Sequence, residues 1–227
     1  MSDVRPYVIR KGDYLTKLGH EMGFDPSFVW AHAKNKELVA KRKNQEVLKA
    51  GDILWIPDEA RRKMPVESET KNSYVARVPK MPLVLTLKLG GKILTKEPYI
   101  VRGLGRLPDG TGSNKQEISG ETDDKGVLKL APSVHVREIE IVLPKRKKEL
   151  RIFVAGMAPD NELSGVRQRL KNLGYLGAKH QGAERYEALD PAQLEAAVRA
   201  FQQDAGLELT GVVDEALTAK LVEVHGS

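Results

Sequence analysis

Two Gly-Asp steps constrain the start of this chain more than any other feature. They sit in "YVIRKGDYL" (Tyr7–Leu15) and "VLKAGDILWIP" (Val47–Pro57). The first follows a short run in which Tyr7 and Ile9 alternate with Val8 and Arg10, the period of a strand; the second leads into another such run that closes on Pro57. A strand that leaves at one glycine corner, and a partner strand entered at another, puts both corners at one end of a two-stranded sheet. Between them Leu15, Leu18 and Met22 recur at i, i+3 and i+7, the apolar stripe of a helix that Asp13 is placed to cap. A second helix is expected from Pro26 to about Lys34. The opening thus reads as strand–helix–helix–strand, with both helices on one face.

Length and charge bound the rest. The 227 residues suffice for one large or two to three small domains, and no stretch approaches the ~20 apolar residues that span a membrane. Cysteine is absent, which removes disulfides, thiolate metal sites and cysteine nucleophiles together. The start "MSDVRPYVIRKGD" lacks the apolar core of a secretory signal. A cytoplasmic location is therefore expected, with passage to the periplasm or exterior left to a contractile or other non-Sec route. Residues 1–65 carry thirteen Lys/Arg against nine Asp/Glu, residues 66–156 seventeen against eleven, and residues 157–227 seven against eleven. A basic front and middle with an acidic tail suggests separate modules. The basic residues are interleaved with acids and lack stacking aromatics, so nucleic acid is not the expected partner.

The pattern changes twice. Residues 58–80 are charged, hold two prolines in "DEARRKMPVESETKNSYVARVP" and show no apolar period, so they read as a linker. In 81–156, "PLVLTLKLGGKIL", "PYIVRGLG", "GVLKLAP", "HVREIEIVLP" and "LRIFVAG" are strand candidates separated by turn residues, and the loop in "GLGRLPDGTG" reads as a hairpin. Five or more short strands here predict a small antiparallel β-sandwich. In 157–227, Val166, Leu170 and Leu173 precede Gly174; Asp190-Pro191 opens a run ending at Gly206; and Asp214 opens another ending at Gly226. Three short helices with apolar stripes predict a three-helix bundle. The whole reads as a multidomain α+β chain: 1–57, linker 58–80, sandwich 81–156, helical domain 157–227.

The first of these resembles a LysM domain, on Gly12, Asp13 and Leu15, the mid-domain Asn35, and Leu48, Gly51, Leu54, Ile56 and Pro57. Tyr14 stands where Thr is usual, and the stretch from Asn35 to Gly51 is several residues longer than is common. The resemblance implies a βααβ unit that holds N-acetylglucosamine-containing glycans in a shallow groove between its two loops. By position those loops are Gly12, Asp13, Tyr14 and Leu15 on one side, and Leu48, Lys49, Ala50, Gly51, Asp52 and Ile53 on the other. The tail resembles the three-helix peptidoglycan-binding domain appended to wall hydrolases, on Leu170, Leu173, Gly174 and Tyr175, on Ala197, Val198, Phe201 and Gln202, and on Gly206, Leu207, Thr210, Gly211, Asp214 and Leu221. The turn "GETDDKG" is similar to that of prealbumin-like and carboxypeptidase-regulatory-like sandwiches. The arrangement as a whole is similar to proteins that accompany type VI secretion spikes and related contractile injection systems.

Catalysis finds little support in the residues. His20, His32, His135, His180 and His225 are scattered without metal-ligand spacing and read as surface histidines. Glu117, Glu121, Asp123 and Asp124 form a dense acidic group, but in a turn-rich stretch with no apolar flank to raise a carboxyl pKa. Trp55 reads as core, Trp30 as either core or a sugar platform, and "PKRKKELR" as a charged turn. No enzyme activity, cofactor or metal is expected. The expected partner is peptidoglycan, with secretion-spike or tube proteins as the alternative.

Overall fold

The computed structural model describes residues 3–58, 66–71, 78–89, 92–104, 117–176 and 190–226. The chain is mixed α and β, with six α-helices and small antiparallel sheets among the described residues. Part of the 58–80 linker, most of the "GLGRLPDGTG" loop and the 177–189 connection with His180 lie outside them.

At the N-terminus, β1 (Val4–Val8) pairs antiparallel with β2 (Ile53–Pro57), from Val4↔Pro57 to Val8↔Ile53. Between them run α1 (Leu15–Met22), α2 (Pro26–Trp30), a 3-10 turn (Ala33–Asn35) and α3 (Lys36–Arg42). Three α-helices therefore stand where two were expected. The helix expected from Pro26 to about Lys34 stops at Trp30, and the stretch read as a lengthened loop begins with α3. Leu15, Leu18, Leu54 and Ile56 have no exposed surface and, with Ile9 and Val29, make the core. Each such aliphatic contributes about 1.5–3 kcal/mol by leaving water. Asn35 is fully buried and satisfied on every side it can use: its amide donates to the Val29 and Trp55 carbonyls, and its Oδ1 accepts the Trp55 N–H at 2.8 Å. It stitches the helical face to β2.

In the middle segment β3 (Leu83–Thr86) pairs with β8 (Val127–Leu130), and β4 (Lys88–Leu89) with β5 (Lys92–Ile93). A four-stranded sheet takes the order β10 (Lys148–Phe153), β9 (Glu138–Leu143), β6 (Pro98–Arg102), β7 (Ile118–Glu121). Ile139, Ile141 and Leu143 point to one face of β9 and share a core with Tyr99, Val101, Leu128 and Leu130, so the β3–β8 pair and the larger sheet bury one another. Strand β7 was expected as a turn. Its sequence lacks apolar alternation, but Gly120 lies opposite Tyr99, and a Cβ there would come within 2.8 Å of the Tyr99 hydroxyl. The aromatic across the ladder takes the room that the glycine leaves.

The tail supplies α4 (Leu163–Asn172), α5 (Pro191–Ala205) and α6 (Glu215–His225). Asp190 accepts from Ala192 N–H and Asp214 from Leu217 N–H, while Gly206 and Gly226 close their helices in the left-handed region, as the sequence predicts. Val166, Leu170, Ala197, Val198, Phe201, Leu217 and Leu221 form one core, joined by Phe153 from the end of β10. His225 departs from the expected surface histidine: it is half-buried at the end of α6 beside the Asn172 amide, and burial, then the nearby Arg169 charge, pull its pKa down to about 4.

Candidate functional site

The two Gly-Asp corners turn out to be the same structure made twice. Arg10 C=O accepts from Asp13 N–H at 3.0 Å, and Lys49 C=O from Asp52 N–H at 3.0 Å. In each turn the third residue, Gly12 at φ +86 or Gly51 at φ +93, takes the left-handed backbone that glycine adopts without strain. Each aspartate reaches back to the first residue of its turn, Asp13 Oδ2 accepting Arg10 N–H and Asp52 Oδ2 accepting Lys49 N–H, both at 2.9 Å. Ile9 N–H donates to Asp52 C=O, and Gly51 N–H to Ile9 C=O, at 2.8 Å each, tying the corners together.

This corrects the role expected of Asp13. Tyr14 occupies the N-cap position of α1 and makes no side-chain cap, whereas Asp13 closes the turn and also accepts the Tyr7 hydroxyl at 2.9 Å. That bond and burial, the larger effect, push Tyr7 up to about 12. Asp52 is further held by Arg42 of α3, whose Nε and Nη2 donate at 2.7 and 2.8 Å. Burial acts to raise the Asp52 carboxyl, but the guanidinium and the Lys49 N–H together hold it below the usual carboxylate range. Arg42 was not singled out in the sequence. It lies ten residues before its partner in an unremarkable basic run.

The ten predicted groove residues divide. Tyr14 and Leu15 are wholly buried, and Asp13, Leu48 and Asp52 nearly so. Gly12 is half-buried, while Lys49, Ala50, Gly51 and Ile53 are exposed. The rest of the chain also touches both corners. A Cβ on Gly12 would lie 2.8 Å from the Arg137 guanidinium, Gly156 packs against the Gly12 carbonyl, and Lys49 Nζ pairs with the Glu162 carboxylate. His135 sits 3.7 Å from Glu21 and stacks at a tilt on His20, centroids 5.4 Å apart. Trp55, expected in the core, is half-buried with Lys34 Nζ 4.3 Å above its ring; Trp30 is half-buried against the core.

A second glycine loop lies in the tail and is open. Gln202 of α5, 2% exposed, donates from Nε2 to Thr210 Oγ1 at 2.8 Å and accepts Gly211 N–H on Oε1 at 2.9 Å. Arg199 donates to the Leu209 carbonyl at 2.6 Å and pairs with Glu195 at 3.0 Å. Gly211, at φ +73, lies so near α5 that a Cβ would meet Arg199 and Glu195 at 2.8 Å. Beside this loop runs a groove of about 510 Å³, lined by Leu163 and Arg167 of α4, by Pro191, Leu194 and Glu195 of α5, and by residues 210–213. Leu163 and Val212 are largely exposed. Thr210, Gly211 and Gln202 belong to the sequence pattern of the tail; the lining residues Leu163, Arg167, Glu195 and Val212 were not singled out.

Three of the four grouped acids of the middle segment, Glu117, Asp123 and Asp124, are engaged in local structure. Asp123 accepts from Lys125 and Val127 N–H, which hold its carboxyl below the usual range, while Glu117 pairs with Arg102 and Asp124 with Lys96. Among the described residues no cluster of His, Asp or Glu has the makings of a metal site, and no helix is long and apolar enough to cross a membrane.

Residues 159–221, somewhat over a quarter of the chain, match the family described as "Putative peptidoglycan binding domain". The match covers the whole of α4 and α5, the Thr210–Gly211 loop and most of α6, and so contains the groove. No curated protein and no solved structure matches the chain.

Proposed function

We propose that this is a non-enzymatic peptidoglycan-binding protein that grips the bacterial cell wall through its C-terminal unit. The observation that carries the reading is the coincidence of the family match at 159–221 with an open groove whose rim is held rigid by Gln202. A loop fixed before the ligand arrives loses little entropy on binding. The LysM-like corners would add a second contact through Lys49, Ala50, Gly51 and Ile53, which are exposed. Two weak wall contacts on one chain gain by effective concentration. Retention of the full chain on insoluble sacculi in a pull-down is the expected result; protein left in the supernatant would defeat the proposal. Release of muropeptides from purified wall would defeat its non-enzymatic part.

A second reading is favoured by the contacts on the first glycine corner. Arg137 and Gly156 lie against Gly12, and Glu162 pairs with Lys49, so the corner that resembles a glycan-binding loop is in contact with protein, here the same chain. An adaptor associated with a type VI secretion or contractile injection spike would use its surfaces in that way, and such a route would deliver a cytoplasmic chain to the wall. Co-purification with spike or tube proteins tests it; absence of those proteins on repeated trial counts against it.

A further inference from the structure

We infer that the Gly12 side of the LysM-like groove is autoinhibited: residues 135–137, 156 and 162 of the same chain close it, and it opens to admit an acetylated sugar chain. The inference rests on the glycan contact proposed above for those corners and adds its regulation. The cover comes from one place in the fold. Glu138 and Phe153 face each other at the end of the β9–β10 hairpin, and Val154 N–H donates to Arg137 C=O at 2.9 Å just beyond it. His135, Arg137 and Gly156 therefore leave the same hairpin end, and Glu162 follows at the N-cap of α4. From there Arg137 lies over Gly12, His135 meets His20 and Glu21 of α1, and Glu162 pairs with Lys49 on the other side of the groove. A Cβ on Gly156 would crowd both Arg137 Nε and the Gly12 carbonyl at 3.3 Å, so a glycine there lets the cover sit this close.

The closure is built to come apart. Among the described residues, the core around Leu15 and Leu54 stays separate from those of the middle segment and the tail. A seam without a shared apolar core parts readily. The Lys49–Glu162 pair is partly exposed, where an ion pair adds little. Two buried donors count against the closed form. The Tyr14 hydroxyl, in the first loop of the groove, and Arg137 Nε are buried and find no partner among the described residues. Burial, then the Glu46 and Glu21 charges, raise the Tyr14 pKa, so the phenol keeps its proton and remains a donor. Buried donors left unpaired destabilise the state that buries them. Parting the seam lets water or sugar hydroxyls accept from both.

The test uses the 15N-labelled full chain and a soluble hexamer of N-acetylglucosamine, with affinity read at the Gly51 and Ile53 amides. Glu162→Lys sets like charges across the groove and removes no helix cap, since Glu162 makes no side-chain cap bond. The probe is uncharged, so the reversed charge does not itself attract it. Adding Arg137→Ala takes the cover off Gly12. A site open in about one molecule in ten binds about tenfold more weakly than its open form, so the double variant should gain about tenfold over the parent. Glu162→Lys alone breaks one surface pair and should gain about two- to fivefold. Saturable shifts should reach Gly12 and Asp13 in the double variant and stay near Gly51 in the parent. Equal affinity in the parent and both variants overturns the autoinhibition and keeps the glycan-binding corner. Absence of shifts in all three proteins overturns both, and retention on sacculi then judges the tail by itself. Where the double variant loses its circular dichroism spectrum, Glu162→Lys decides alone: a gain supports the closure, and parent affinity overturns it.

Discussion

The first Gly-Asp corner and the Thr210–Gly211 loop solve one problem with different chemistry. Both place a glycine at positive φ where the backbone passes close to another element, Arg137 in one case and α5 in the other. Both are held by a buried polar side chain. At the N-terminal corners that holder is charged: Asp13 on one side, and the bidentate Arg42–Asp52 pair on the other. In the tail it is a neutral amide, Gln202, which bonds the loop twice. Their surroundings differ more. The corner at Gly12 is covered by the following segments, while Gly211 borders an open groove. A pre-shaped loop is thus no evidence of a free site until its neighbours are counted.

The largest effect should come from breaking the charged holder. Arg42→Ala leaves the Asp52 carboxylate buried without its guanidinium and should cost about 3–5 kcal/mol. Both tryptophans, Trp30 and Trp55, lie in the N-terminal segment, so tryptophan emission follows the unfolding of the region that holds the Arg42–Asp52 pair. An unchanged midpoint would mean that Arg42 does not hold the corner.

Next is acidification of the tail. His225 has a folded pKa of about 4 against an ordinary 6.5. The unfolded chain binds the proton first, so stability is full above pH 6.5 and falls as pH drops toward 4, by about 2–3 kcal/mol. Protection factors in α6, which remove the intrinsic pH dependence of exchange, should fall across that window in the parent and change less in His225→Gln. Equal slopes in the two proteins would exclude His225 as the cause.

The neutral holder should cost less than the charged one. Gln202→Ala strips a partner from Thr210 Oγ1 and Gly211 N–H, for about 1–3 kcal/mol. Faster amide exchange at Gly211 with an unchanged tryptophan midpoint is expected. An effect as large as that of Arg42→Ala would erase the contrast between the two regions.

Uncovering the first corner should matter least to stability. Arg137→Ala is expected to shift the tryptophan midpoint by about 1 kcal/mol or less. It should raise solvent exchange at Gly12 and Asp13 while leaving the Lys49–Asp52 turn unaffected. If exchange at Gly12 is unmoved, the arginine is not its cover.

Much of the fold is legible in the sequence, because helix caps, strand alternation and glycine turns are written in neighbouring residues. Asp190-Pro191 and Asp214 start helices as read, Gly206 and Gly226 end them, and β9 alternates as "EIEIVL" predicts. Local signals also misled. Asp13 had the type and position of a helix cap, and only the nearby Arg10 amide and Tyr7 hydroxyl show that it closes a turn instead. Strand β7 was hidden because its pairing depends on Tyr99 filling the space over Gly120.

The sequence by itself determined the two glycine corners, the apolar stripes, the helix ends and the resemblance of residues 157–227 to a peptidoglycan-binding domain. Each depends on interactions within a few residues or on a pattern carried along the chain. Tertiary structure alone decided that Arg42 meets Asp52, that Arg137 covers Gly12, and that Leu163, Arg167, Glu195 and Val212 border one groove. Those meetings join residues far apart in the chain or on separate elements. Their distances are set by how the cores around Leu54, Ile141 and Phe201 pack, which no local spacing encodes.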